Sequence, residues 1–131
     1  RSVDAKVQFE KVYKPIAYVN KRDFEKHKAI VEQLLQKATE IQEKQPEKAA
    51  EYARVGKAYK QCAECNLAVV NAYEKGLAAS MRQALTAVLE AEKVVAKVTG
   101  KPVVRDWFTP WETEACITTE QARQRRAAKG A

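Results

Sequence analysis

Residues 24–46 read FEKHKAIVEQLLQKATEIQEKQP, and this stretch decides the fold. Phe24, His27, Val31, Leu34, Ala38, Ile41 and Gln45 recur at alternating three- and four-residue steps, and Ile30 and Leu35 widen the row. On a helix of 3.6 residues per turn such a row forms one apolar seam, with charged residues left on the opposite face. Asn20 has the chemistry of an N-cap and Asp23 would sit in a first turn, so the pattern predicts a helix over 21–44. Pro46 ends the row and suits the first position of a following helix, where its missing N–H costs nothing. A tight connection at Gln45-Pro46 makes the two helices antiparallel neighbours.

Working outward, a second seam runs through Tyr52, Val55, Tyr59, Cys62, Asn66, Val69 and Tyr73. A third follows in shifted phase: Leu77, Met81, Ala84, Val88, Ala91, Val95 and Val98. Two successive four-residue steps at 73, 77 and 81 form a stutter, with Gly76 inside it. Two readings stand here. Ser80 and Gln83 have capping-box spacing and favour a break near 76–79. The strong helix formers that follow favour one very long central helix over 47–98, since a single Gly costs only about 1 kcal/mol relative to Ala. A continuous helix would be ~78 Å long, and the 21–44 helix would cover about half of it. Its apolar stripe of Leu77, Met81, Leu85, Val88, Leu89 and Val95 would then require a partner.

Upstream, Val3, Val7, Phe9, Val12 and Tyr13 suggest a short helix over 3–14. Pro15 disfavours helical geometry at Lys14, which predicts a turn or extended chain to about residue 19. Downstream, Gly100 and Pro102 punctuate the helical region. Trp107, Phe108 and Trp111 then lie in a Pro-containing segment without helical period, an irregular aromatic strap suited either to docking on another chain or to folding back as a lid. Thr118 with Gln121 marks a further short helix over about 119–128. The expected fold is all-α: an antiparallel helical hairpin or bundle over 1–100, followed by an aromatic and basic extension over 101–131.

Composition supports this frame. A chain of 131 residues, 46% hydrophobic and 31% charged, can bury a single core. The net charge of +7 is spread over helices bearing both signs. After Glu120 only Arg123, Arg125, Arg126 and Lys129 are charged, a tail suited to RNA phosphates, anionic lipid or an acidic protein groove. Charge without a recognition motif supports nucleic acid weakly. No uncharged stretch approaches the ~20 residues of a transmembrane helix. Three cysteines do not suggest a secreted disulfide framework, which favours a reducing intracellular compartment. The first residue, Arg1, has the look of a processed N-terminus, and with the positive charge it suits an organelle such as the mitochondrion.

Chemistry-bearing motifs are few. Cys62 and Cys65 have CxxC spacing but fall mid-helix, so tetrahedral zinc would need His27 and Cys116 as well. Small residues filling an Ala-rich interface are the simpler reading. His27 has no Ser, Cys or Asp at a diagnostic spacing, and neither a phosphate loop nor a nucleophile elbow occurs. Asn66 on the second seam reads as a register-setting polar residue, whose replacement by Leu should raise stability. The expectation is therefore a non-catalytic accessory or scaffold subunit of a multiprotein assembly, without a cofactor or small-molecule substrate. It would dock through the apolar stripe and the strap (Trp107, Phe108, Trp111). The alternatives are a basic RNA- or ribosome-associated protein and a small metal- or ligand-binding bundle.

Overall fold

The computed structural model of the chain describes residues 2–115 and positions 123, 124 and 127, with side chains from residue 4 onward. Three helices make up the body: α1 (Ser2–Ile41), α2 (Pro46–Glu74) and α3 (Ala78–Thr99). α1 and α3 both pack on α2, and a strap from residue 101 to 115 follows. No strand occurs among the described residues, and the fold is all-α as its periodicity requires.

The longest helix is the first, not a central one. α1 runs for 40 residues with Pro15 inside it, so the turn expected after residue 14 does not form. A proline in a helix interior removes one hydrogen bond and costs about 3 kcal/mol. Two features offset that cost. Pro15 lies on the solvent face, so the orphaned carbonyl of Lys11 on that face can be hydrated. The opposite face carries Tyr13, Ile16, Ala17 and Asn20, all buried, while Phe9 stacks on Tyr73 with ring centroids 5.6 Å apart. Asn20 consequently sits mid-helix and caps nothing. Its Nδ2 donates instead to the carbonyl of Ile16 at 2.8 Å.

Pro46 opens α2 as its position suggested. At the other end, Gly76 breaks the long helix. Its φ of 68° is left-handed, its N–H donates to Tyr73 O at 2.9 Å, and the Leu77 N–H donates to Ala72 O at 3.2 Å. This pair of bonds is a Schellman closure, in which glycine avoids the left-handed penalty and the last carbonyls stay satisfied. Counting Gly76 as a helix-interior residue underestimates it. In the left-handed position it turns the chain back, and that turn lets α3 bury its own stripe.

Met81, Leu85, Val88 and Val95 are almost completely buried, in one core with Tyr13 and Ile16 of α1, Cys62 and Val69 of α2, and Trp107 of the strap. The expectation of an uncovered stripe is corrected accordingly. The cover is α2, on which α3 packs, and Tyr13 and Ile16 of α1, which runs unbroken through Pro15, join the same core. At about 25 cal/mol per Å² of apolar surface, side chains of this size contribute about 1.5–3 kcal/mol each when buried.

α3 does not extend along the whole hairpin. Its C-terminal end comes level with Ile30 and Tyr59, where the strap begins. Among the described residues, α1 and α2 continue alone beyond that level as a two-helix arm of roughly 17 Å at 1.5 Å per residue. There Val31, Ala38, Ala49 and Gly56 close the seam between the two helices. Ile30, Leu34, Ile41, Tyr52 and Val55 stay half-buried. By helical phase they continue the groove that α3 fills lower down.

Candidate functional site

The strap is built by alternation. From Val104 to Thr109 side chains point out and in by turns: Val104, Asp106 and Phe108 are exposed, whereas Arg105 is half-buried and Trp107 and Thr109 are buried. Thr109-Pro110-Trp111-Glu112 then opens a helical segment from 110 to 115. The Thr109 N–H donates to Glu112 Oε1 at 2.9 Å, and the Glu112 N–H donates to Thr109 Oγ1 at 3.2 Å. This is a reciprocal capping box with proline at the first helical position.

Arg105 is the hub. Its Nε donates to Glu92 Oε1 at 3.0 Å, Nη1 to the Trp107 carbonyl at 2.8 Å and to Glu112 Oε1 at 3.1 Å, and Nη2 to Glu112 Oε2 at 3.0 Å. Its guanidinium also lies 4.9 Å from the Trp107 ring centroid. A planar fork of fixed donors suits this task, and lysine could not replace it. The opposing surface is α1. Trp107 Nε1 donates to Asp23 Oδ2 at 2.9 Å, and Arg22 bridges Asp23 and the two carboxylate oxygens of Asp106. The strap therefore ties α1, through Arg22 and Asp23, to α3, through Glu92, and Trp111 extends the tie with Arg82 of α3 at 5.6 Å from its ring.

Beneath the strap a cavity of about 240 Å³ is lined by His27 and Tyr59 along with Asp23, Lys26, Glu92 and Arg105. His27 belongs to a buried polar relay. Asn66 Nδ2 donates to Asn20 Oδ1 at 2.8 Å, which leaves Asn66 Oδ1 as acceptor for His27 Nδ1–H at 3.0 Å. That bond assigns the neutral Nδ1–H tautomer, with Nε2 left as an acceptor. No buried side-chain nitrogen or oxygen lacks a partner among the described residues.

The electrostatics follow from these contacts. Burial pushes the His27 pKa down, against the opposing pull of its bond to Asn66. Burial also raises Glu92, and the hydrogen bond from Arg105 limits the rise. The Arg105 fork holds Glu112 down at about 2. Burial pushes the Cys62 thiol up to about 12, so it stays protonated and is a poor nucleophile at neutral pH. Asp106 is lowered, principally by the hydrogen bond from Arg22. Each carboxylate of the cluster is engaged by an arginine or an indole, and the arrangement acts as a clamp on the strap.

The residues singled out from sequence divide between surface and interior. Trp107 folds inward as part of a lid, Trp111 is half-buried, and Phe108 remains exposed at 59%. Of the α3 stripe only Leu77 is exposed and Leu89 half-buried, while Met81, Leu85, Val88 and Val95 are inaccessible to a partner. Of the metal alternative, His27 is engaged by Asn66, Cys62 lies 4.0 Å from Asn66 Oδ1, and Cys65 receives a long contact of 3.9 Å from Gln61. Among the described residues no three His, Cys, Asp or Glu side chains are grouped to hold a metal, and Cys116 falls outside them. Arg125, Arg126, Lys129 and the cap at Thr118 are outside the described residues as well. Among the described residues no helix is long and apolar enough to cross a membrane.

Sequence reasoning missed Arg22, Glu92, Arg105, Asp106 and Glu112. The capping box Thr109-x-x-Glu112 with Pro110 was a local signal that could have revealed the helical segment. The ion pairs join residues up to 84 positions apart and leave no local signal. No protein-family model matches the chain, and no curated protein or solved structure matches it either.

Proposed function

We propose that the protein is a non-catalytic accessory subunit of a multiprotein assembly, and that its docking element is the two-helix arm with the outer face of the strap. One observation carries the reading: among the described residues, the groove between α1 and α2 is filled by α3 in its lower part and left open above. The open part keeps Ile30, Leu34, Ile41, Tyr52 and Val55 half-buried. Lys37 and Lys48 lie over the Tyr52 ring at 5.4 and 6.0 Å, so their stems rim the opening with charge. A partner helix continuing the line of α3 would complete a three-helix cross-section along the arm. The strap adds Val104 and Phe108, exposed at 87% and 59%, on a backbone pinned by Arg105. Pinning lowers the ordering cost of binding. A chain whose charged cluster is occupied in holding its own strap has those groups committed to structure, which supports a binding role over a catalytic one.

The test is sedimentation of the native protein from its own cells, combined with a photo-crosslinking side chain at Val55 or, as a control, at exposed Thr86 on α3. The reading expects co-sedimentation with a large particle at fixed stoichiometry and an adduct to one polypeptide from position 55 only. A native protein that sediments as a free single chain overturns it.

A further inference from the structure

The arm and the strap leave one strongly charged surface without a role. Residues 11–28 of α1 hold six basic and two acidic side chains, a net +4 of the chain's +7 in about a seventh of its length. The cations Lys11, Lys14, Lys21 and Lys28 are all exposed, and none forms an ion pair within 4.0 Å among the described residues. Lys28 lies 5.9 Å from the Phe24 ring and keeps its charge available. Arg22 is taken by Asp23 and Asp106, and Asp23 is turned toward the strap, so Glu25 is the one acidic side chain on the outer face of this stretch.

At 100° per residue, Lys14, Lys21 and Lys28 form a row about 21 Å long on one flank of α1, ended by the exposed Glu10 and Glu32, while Lys11 and Tyr18 lie opposite the buried face. Tyr18 stands beside this row, 74% exposed. It lies four residues after Lys14 and three before Lys21, the spacings at which helical side chains are neighbours. This large ring stands in water among cations, with no ring contact among the described residues.

We propose that this face of α1 binds single-stranded nucleic acid, the lysines contacting phosphates and Tyr18 stacking on a base. Stacking on an exposed ring needs an unpaired base, which selects single strands over duplexes. A lipid surface fits less well. An interfacial helix buries an aliphatic or aromatic face in the membrane, whereas the apolar face of α1 is spent on the core and Tyr18 is the sole aromatic on the outer side of this stretch. The surface does not involve the C-terminal tail and is independent of the arm.

The experiment measures fluorescence anisotropy of a labelled 20-nucleotide oligo-uridine with the full chain, alongside sedimentation with phosphatidylserine vesicles. Four phosphate contacts on a single strand predict a log–log salt slope of roughly −3, so affinity should fall about fiftyfold between 50 and 200 mM salt. Combined K11E, K14E, K21E and K28E should abolish binding with an unchanged thermal transition, since all four are exposed. Tyr18→Ala should weaken binding about tenfold, and Tyr18→Phe should restore it by keeping the ring. Lys93→Glu with Lys97→Glu on α3 should change affinity less than threefold. Absence of binding at 50 mM salt, loss of binding on removing residues 121–131 alone, or capture of vesicles without the oligonucleotide would each overturn the proposal.

Discussion

Replacing Asn66 by leucine should destabilise the protein, although the sequence pattern alone predicts the reverse. On a seam between chains, asparagine is a register device held at some cost in stability, and leucine would remove that cost. In the fold Asn66 is 1% exposed and central to the relay within one chain, accepting from His27 and donating to Asn20. Leucine orphans the His27 N–H and the Asn20 Oδ1. Each unsatisfied buried group costs about 1–3 kcal/mol. Burial of the leucine side chain returns about 2 kcal/mol. The balance is a loss of about 2 kcal/mol, equivalent to roughly 6–10 °C in Tm for a chain of this size. Urea unfolding followed by far-UV circular dichroism measures it directly. A triple variant, Asn20→Leu with His27→Phe and Asn66→Leu, removes every partner together and should return to within about 1 kcal/mol of the parent, because a fully apolar replacement leaves nothing orphaned. A single variant more stable than the parent, or a triple variant whose loss is the sum of three separate losses, would refute the relay.

Three further outcomes follow from the same contacts. His27 has a folded-state pKa below its unfolded 6.5, so the unfolded chain takes up the proton first and stability falls as pH drops below about 6.5 toward the lowered value. Glu92, raised by burial, acts in the opposite direction at lower pH, so the histidine's share is read by difference: the stability gap between parent and His27→Gln should shift toward the variant between pH 7 and 5, and a gap independent of pH would exclude this role. Arg105→Ala should release the strap by stripping Glu92 and Glu112 of their partner, lowering stability by about 2–4 kcal/mol and shifting Trp107 fluorescence to the red; an unshifted spectrum would show that the indole is held without it. Gly76→Ala meets no atom within 4 Å, so its cost should be the left-handed penalty alone, about 1 kcal/mol by thermal unfolding, and a neutral or stabilising result would mean that the turn is not needed.

How much was legible depended on the range of each interaction. The seams at Phe24–Ile41 and Tyr52–Tyr73 are periodic over many turns, so the antiparallel hairpin and the start at Pro46 could be read directly. Pro15 misled because a local steric rule was outweighed by burial of Tyr13, Ile16 and Asn20 against elements more than forty residues away. The break at Gly76 was visible as a stutter but undervalued, since its stabilisation comes from the Schellman bonds and from the core that α3 then fills. Trp107, Phe108 and Trp111 were recognised as a unit. Their alternation, which puts Trp107 inside and Phe108 outside, is set by Arg105, Asp23 and Glu92, and no short-range pattern encodes that convergence.

The claim on which the rest depends is that one chain covers its own α3, through α2, core residues of α1 and the strap, and leaves the arm as the open end. Amide hydrogen exchange of the purified chain, measured at two protein concentrations, tests this most directly. The account predicts that amides of residues 81–95 exchange only through global unfolding, equally slowly at both concentrations, while those around residues 38–50 at the arm tip exchange first. Rapid exchange along α3, or protection there that grows with concentration, would contradict it.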